Sequence, residues 1–239
     1  MEYKYEVTSL TGFLQRVATH LLPKGYYFFV QGSLAEGKDP TTLDAKLLAK
    51  YDVAKSEGAR RWRKRQGLGN VQYVRYQNHW VLLATHGDHP IREGEEKNLK
   101  DVRRVPIRIG DYAVYVKRGD YLKKASGALT ATPDGKWRVR VLIAREPYRE
   151  LCARFLDAAR HRRAETLMDD FYRLPYEPYA PVRKQLLKLL RLVNAERQAA
   201  GYEKLPVTCL RFKRQIVRSF SPMAVTEPYH DCPRLSPEF

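Results

Sequence analysis

The stretch "VQYVRYQNHWVLLATHGDHP", residues 71–90, decides the plan of the fold. Residues 71–76 and 80–85 are rich in β-branched, aromatic and aliphatic side chains, a composition typical of strands. Gln77, Asn78 and His79 lie between or across these two runs. The stretch therefore predicts a β-hairpin, and His79, His86 and His89 place three of the chain's six histidines on or beside it.

The residues before this hairpin predict a helix, a strand and a second helical region. Apolar residues recur at helical spacing over residues 8–22, and Pro23 with Gly25 ends that helix. The aromatic and β-branched run "YYFFV", residues 26–30, predicts a buried strand. A helical region follows the entry at Pro40 and continues to about residue 67, with a break near Gly58.

The residues after the hairpin predict more strands and then only helices. Strands are expected at "VPIRI", "YAVYV" and "WRVRVLIA", with a hairpin turn at residues 133–135. A mostly antiparallel sheet with packed helices is an α+β plan. From residue 146 the spacing becomes helical, and residues 181–199 form the strongest helix. We therefore expect a sheet-containing lobe over residues 1–145 and a helical lobe with a basic C-terminal arm over 146–239.

Composition indicates a globular protein with an anionic partner. The chain has 239 residues, 44% of them hydrophobic, with 44 Lys and Arg against 27 Asp and Glu, for a net charge of +17. Such an excess favours DNA, RNA or an anionic membrane as partner. No run reaches the roughly 18–20 apolar residues that span a bilayer, and the first residues lack a signal-peptide pattern. The expected location is the cytoplasm, without membrane attachment.

The positive charge is concentrated in three segments. On the helix over residues 181–199, the cations lie opposite the apolar side and form a cationic ridge. In "ARRWRKRQG", residues 59–67, Trp62 either stacks an unpaired base or points into the core. In "LRFKRQIVR", charge alternates with apolar residues, as on an edge strand or an extended arm. The candidate nucleic-acid contacts are Arg60, Arg61, Trp62, Arg63, Lys64, Arg65, Arg183, Lys184, Lys188, Arg191, Arg211, Lys213 and Arg214.

The run "YVRYQNHWVLLAT" resembles the metal-binding strand of the HUH endonuclease superfamily, in particular the REP-associated tyrosine transposases. It matches the family pattern at Asn78, His79, Trp80, Leu82 and Leu83, but Val81 stands where the family has its second histidine. The resemblance implies a ferredoxin-like sheet, a divalent metal held by histidines, and a tyrosine nucleophile that attacks single-stranded DNA. "EPYAPVRK" is similar to the family's tyrosine helix, which makes Tyr179 the corresponding nucleophile.

The missing second histidine leaves several interpretations of the histidine cluster open. One imidazole cannot hold a metal alone, so His86 and His89 would have to join His79, with Asp88, Glu93 or Glu95 as further ligands. In the structural alternative, His79 starts a strand while His86 and His89 lie on an exposed loop. A third alternative is metal-independent RNA cleavage with a histidine as base.

The sequence therefore predicts a protein that binds single-stranded or structured DNA or RNA, possessing a ferredoxin-like α+β fold. Binding is expected to need no cofactor. The alternative function is a metal-dependent HUH-like single-strand endonuclease that uses Mg²⁺ or Mn²⁺, His79 and Tyr179. No phosphate-binding loop, nucleophile elbow or H-E-x-x-H helix supports other hydrolytic chemistry. No pattern predicts an oligomeric state.

Overall fold

The stretch over residues 71–90 forms the hairpin that its composition predicts. The computed structural model describes residues 3–125 and 128–220, and it gives only the backbone of residues 120–133. The two strands of the hairpin are Val71–Tyr76 and His79–Ala84. The turn between them places Gln77 at a positive φ of 52°. His79 is thus the first residue of a strand rather than a turn residue.

The other predicted elements are observed in the predicted order with shifted boundaries, whereas a short helix and a two-residue strand after the hairpin were not predicted. The strands are β1 (Phe28–Ser33), β2 (Val71–Tyr76), β3 (His79–Ala84), β4 (Lys100–Asp101), β5 (Ile107–Ile109), β6 (Tyr112–Ala125) and β7 (Ala128–Ile143). The α-helices are α1 (Leu10–Gln15), α2 (Pro40–Lys50), α3 (Glu57–Arg65), α4 (Ile91–Gly94), α5 (Arg145–Ala159), α6 (Ala164–Tyr172) and α7 (Ala180–Ala199). After α1 the chain continues as a π-helix, Arg16–Leu21, and a 3-10 turn, Leu22–Lys24, that ends at Gly25 with φ 92°.

The first four strands form an antiparallel sheet in the order β2-β3-β1-β4. Helices connect β1 to β2 and β3 to β4, so the sheet has the split βαβ arrangement of ferredoxin-like folds. The predicted α+β class is confirmed. Phe28 lies opposite both Ala84 and Asp101, which fixes where β1 begins relative to the ends of β3 and β4.

The N-terminal segment covers the outer edge of β2. The Val7 amide donates to the Arg75 carbonyl at 2.8 Å, and the Arg75 amide donates to the Tyr5 carbonyl at 2.9 Å. The Tyr3 hydroxyl accepts from the Tyr73 amide at 3.0 Å and donates to its carbonyl at 3.2 Å. These bonds satisfy the edge that would otherwise be open to another strand.

Strands β5, β6 and β7 form a separate antiparallel sheet, so the predicted single sheet is divided in two. The prediction of a hairpin turn at residues 133–135 was wrong. Pairing between β6 and β7 continues past these residues to Ala125 opposite Ala128, and the register shifts between Arg118 and Asp120. Residues 133–135, whose composition is typical of a turn, therefore lie beside a shift of register within the long two-stranded ribbon of β6 and β7.

The main hydrophobic core contains residues from both sides of position 145, the predicted boundary between the two lobes. It joins the π-helix, one face of the four-stranded sheet, the second sheet and the apolar sides of α5, α6 and α7. A smaller core lies on the opposite face of the first sheet, under α2. The two predicted lobes thus share their main core. Within the described ranges, no helix combines the length and the apolar character needed to cross a bilayer.

Candidate nucleic-acid interface

Helix α3 is a solvent-exposed cationic helix. The Ser56 hydroxyl caps it by accepting from the Ala59 amide at 3.2 Å, and none of its residues is buried. Trp62 is 58% exposed. This exposure excludes the core position considered for Trp62, whereas the base-stacking role stays a prediction. The predicted break in the helical region lies at residues 51–56, just before Gly58.

Some basic side chains of α3 bond to other groups of the protein, and others extend into solvent. Arg60 donates to the Lys55 carbonyl, and Arg63 donates to the Gly69 carbonyl through Nε at 3.1 Å and Nη2 at 3.0 Å. Arg61 lies 3.8 Å from the Glu57 carboxylate. Lys64 and Arg65 are exposed and form no ion pair within residues 3–125 and 128–220.

The predicted ridge on α7 is exposed as its spacing indicates. Val182, Leu186, Leu189, Leu190 and Val193 are buried on the opposite side. Lys184, Lys188 and Arg191, which we call the α7 ridge, are exposed and pair with no carboxylate in the described part of the chain. Arg183 is different because its guanidinium donates to the Phe212 carbonyl at 3.1 Å.

The segment over residues 211–220 is an extended arm and not an edge strand. Arg211 donates to the carbonyls of Leu174 and Tyr176, and the Arg214 guanidinium lies 4.6 Å from the Tyr179 ring centroid. These two cations hold the arm in place, whereas Lys213 is exposed. The part of the predicted arm from residue 221 onward lies outside the described residues.

Further basic and aromatic side chains gather where β1 and β2 begin and β3 ends. The Arg92 guanidinium lies 4.5 Å from the Phe28 ring centroid, and that of Arg103 lies 5.7 Å from the same centroid. Arg103 is also 5.6 Å from the Trp137 ring, and Arg118 is 5.2 Å from it. We call Arg92, Phe28, Arg103, Trp137 and Arg118 the sheet-end row.

A chain of contacts links α3 to the sheet-end row. Arg63 at the end of α3 bonds to the Gly69 carbonyl, and the Gly69 amide donates to the Asp88 carbonyl at 2.8 Å. In the same loop, the Gly87 carbonyl accepts from Arg92 Nε at 2.8 Å. Hydrogen bonds to the main chain of the loop over residues 86–90 therefore connect α3 to the sheet-end row.

The ribbon formed by β6 and β7, which carries Trp137 and Arg118, has further cations beside the row. Lys117 lies directly opposite Arg138, and Tyr115 lies opposite Arg140. Lys117, Arg138 and Arg140 are exposed, although Arg138 also pairs with Asp134. Asp134 offsets part of the repulsion between Lys117 and Arg138, which as like charges directly opposite each other would otherwise destabilise the ribbon.

The structure does not bring the three predicted metal ligands together. His79 begins β3, where its Nδ1 lies 2.8 Å from the Ser33 hydroxyl in a cleft of about 80 Å³. His86 and His89 follow the opposite end of the same strand. Across the described residues, no group of three His, Cys, Asp or Glu side chains is placed to hold a metal ion. Val81, at the position of the family's second histidine, packs into the main core.

The two histidines after β3 have different surroundings. His86 is exposed, and its ring centroid is 6.3 Å from that of Phe28. His89 is buried, contrary to the expectation that both lie exposed on a loop, and its Nδ1 accepts from the Ile91 amide at 3.2 Å. Burial lowers the pKa of His89, and the nearby cations of Arg63 and Lys55 add to that effect. His89 therefore acts as a neutral structural side chain.

Tyr179 is poorly placed for attack on phosphate. It occupies the N-cap position of α7 without a capping side-chain bond, it packs against the main core, and its hydroxyl oxygen is buried. Burial raises the pKa of Tyr179, and the positive charge of Arg214 opposes this only in part. Such surroundings disfavour the phenolate that a tyrosine nucleophile needs.

No protein-family model matches this chain, and no curated protein matches its sequence.

Sequence reasoning missed the sheet-end row because its members are far apart in the chain. Phe28, Arg92, Arg103, Arg118 and Trp137 come from β1, α4, the loop after β4, β6 and β7. None of them lies in a dense basic run. The nearest sequence signal is the alternation of basic and apolar residues in "KWRVRVLIA", which marks a strand with one charged side.

Proposed function

We propose that the protein binds single-stranded or structured nucleic acid through exposed cations and aromatic rings. The observation that carries the proposal is that Lys64, Arg65 and the α7 ridge are exposed and unmatched by any described carboxylate. By contrast, Arg160, Arg162 and Arg173 each pair with an acidic side chain. Unmatched cations at several sites on the surface are what a polyphosphate chain neutralises.

Binding of this kind needs no cofactor, since phosphate neutralisation and stacking use only side chains. We propose the cytoplasm as the compartment. Cys152 and Cys209 are both free thiols, which suits a reducing environment. Burial raises the pKa of the Cys209 thiol to about 11, so this cysteine is a packing residue rather than a reactive one.

The proposal is tested by direct binding to labelled nucleic acid. The protein is purified without nuclease, and the absorbance ratio at 260 and 280 nm reports nucleic acid that copurifies. Fluorescence anisotropy then follows binding to a labelled 20-nucleotide strand and to a hairpin as salt is raised. We expect binding that weakens steeply with salt. Absence of binding to both probes at low salt would contradict the proposal.

A further inference from the structure

The sheet-end row has the composition of a stacking site. Its two rings, Phe28 and Trp137, alternate with three guanidinium groups at 4.5–5.7 Å from the ring centroids. Tyr27 lies beside the row, with its centroid 5.2 Å from the Arg103 guanidinium. Both aromatic rings and arginine planes stack on unpaired bases, and the arginines also carry charge for phosphate.

The inner part of the row is held rigidly. Arg103 donates to Asp101 through Nε at 2.9 Å and Nη2 at 2.7 Å, and Asp101 also accepts from the Arg103 amide at 2.9 Å. These bonds, together with the charge of Arg103, lower the pKa of Asp101 against the opposing effect of its burial. Phe28 is fixed by its register opposite Ala84 and Asp101. A ligand would therefore meet a preformed surface and lose little affinity to side-chain ordering.

The outer part of the row is open. Trp137 is 41% exposed, and Arg118, directly opposite it on β6, is also exposed. Arg103 is neutralised by Asp101, whereas Arg118 pairs with no carboxylate in the described ranges. Arg118 is therefore the cation that can leave the ring for a phosphate, and its departure would free ring surface for a base.

We propose that Trp137 stacks an unpaired base of single-stranded nucleic acid, with Arg103 fixed beside the ring and Arg118 contacting the adjoining phosphate. The site rests on the proposed function and specifies its ligand. Bases inside a duplex are already stacked on their neighbours and present no free face, so the site selects single strands. Lys117 and Arg140, exposed on the same β6–β7 ribbon as Trp137, would contact neighbouring phosphates.

The test measures the affinity of Trp137→Ala for a labelled single strand and for a duplex of the same length and sequence. We expect the affinity for the single strand to fall about tenfold, within the range reported for loss of one stacked base. The affinity for the duplex and the salt dependence should be unchanged, because the substitution removes no charge. Trp137→Phe should retain most of the single-strand affinity.

Tyr202→Ala supplies the matched control. Tyr202 is 49% exposed and lies 5.3 Å from the Arg197 guanidinium, so it is another exposed ring beside an arginine, outside the row. Its loss should leave both affinities unchanged, and thermal unfolding shows whether each variant is folded.

Four outcomes would overturn the stacking site, and they point to different failures. Equal single-strand affinity in the wild type and Trp137→Ala overturns the site while leaving nucleic-acid binding in place. An equal loss for single strand and duplex, or a loss that Tyr202→Ala reproduces, also overturns it. A wild type that binds neither probe overturns the proposed function together with the site.

Discussion

At the scale of single residues, a buried charge network fixes the first sheet to α2. Asp44 is 1% exposed and Arg75 is 4% exposed. Arg75 Nε donates to both Asp44 carboxylate oxygens at 3.0 Å, and the Tyr73 hydroxyl donates to Oδ1 at 2.6 Å. The Glu6 carboxylate contacts Arg75 at 3.0 Å from the N-terminal segment. Removing one member of such a network leaves an uncompensated charge in the interior.

Asp44→Ala should therefore lower the free energy of unfolding by about 3–5 kcal/mol, as measured by chemical denaturation. Combining it with Arg75→Met should recover part of that loss, because the second change removes the unpaired guanidinium. The control Asp169→Ala breaks an exposed pair with Arg173 and should cost about 1 kcal/mol or less. Equal losses for Asp44→Ala and Asp169→Ala would contradict the assignment of a buried network.

His89 should make stability depend on pH. Its pKa is lowered in the folded protein from an ordinary value of 6.5, so the folded state favours the neutral ring. The associated stability is fully present above about pH 6.5 and is lost as pH falls through the lower folded value. His89→Gln should reduce the loss of stability measured between pH 7 and pH 5. An unchanged profile in His89→Gln would refute this role.

Individual residues were the hardest feature to predict. Composition could not say whether Trp62 faces solvent, because a Trp among arginines suits either an exposed or a buried position. It also placed His89 on an exposed loop, although Gly69, His89 and Asp88 pack closely together there. Arg63 and Lys55, whose charges add to the effect of burial on the pKa of His89, are more than twenty residues away in the chain. Contacts of that kind have no local sequence signal.

At the scale of elements, helices with a clear apolar side were predicted well. The helix predicted over residues 181–199 is observed as Ala180–Ala199, with its predicted apolar side buried. Strand ends were less predictable, since "PDG" at 133–135 is typical of a turn but here lies beside a shift of register between β6 and β7.

The arm over residues 211–220 is positioned by Gln15, whose side-chain amide bonds to both the amide and the carbonyl of Val217. Such a bond between a helix and a distant segment is invisible in the sequence.

The role of the α7 ridge can be tested by removing its three positive charges. Lys184→Gln, Lys188→Gln and Arg191→Gln together should weaken nucleic-acid binding and reduce the magnitude of the salt slope by about 2, if each cation meets one phosphate of a single strand. The measurement is the logarithm of the binding constant against the logarithm of salt concentration.

The control for this experiment removes the same number of charges elsewhere. Arg160→Gln, Arg162→Gln and Arg173→Gln remove three cations that already pair with Glu196, Asp170 and Asp169. This triple variant should retain most of the wild-type slope. An equal effect of both triple variants would mean that net charge, and not the ridge, determines binding.

At the scale of the whole molecule, periodicity and composition were enough for the fold class but not for the arrangement of the surface. The order of strand, helices and hairpin predicted the α+β class, which is confirmed, whereas the ferredoxin-like arrangement seen in the strand order β2-β3-β1-β4 was implied only by the family resemblance. The division into two sheets was missed, because each strand looks alike in isolation. The sheet-end row exists only after folding brings side chains from five separate parts of the chain together.

The central claim is that this fold gathers unmatched cations into surfaces that a phosphate backbone follows. Its most direct test is the salt slope of wild-type binding to a 20-nucleotide single strand. Engagement of at least five cations predicts a slope of about −3.5 or steeper. A slope near zero, or no binding at low salt, would contradict the claim.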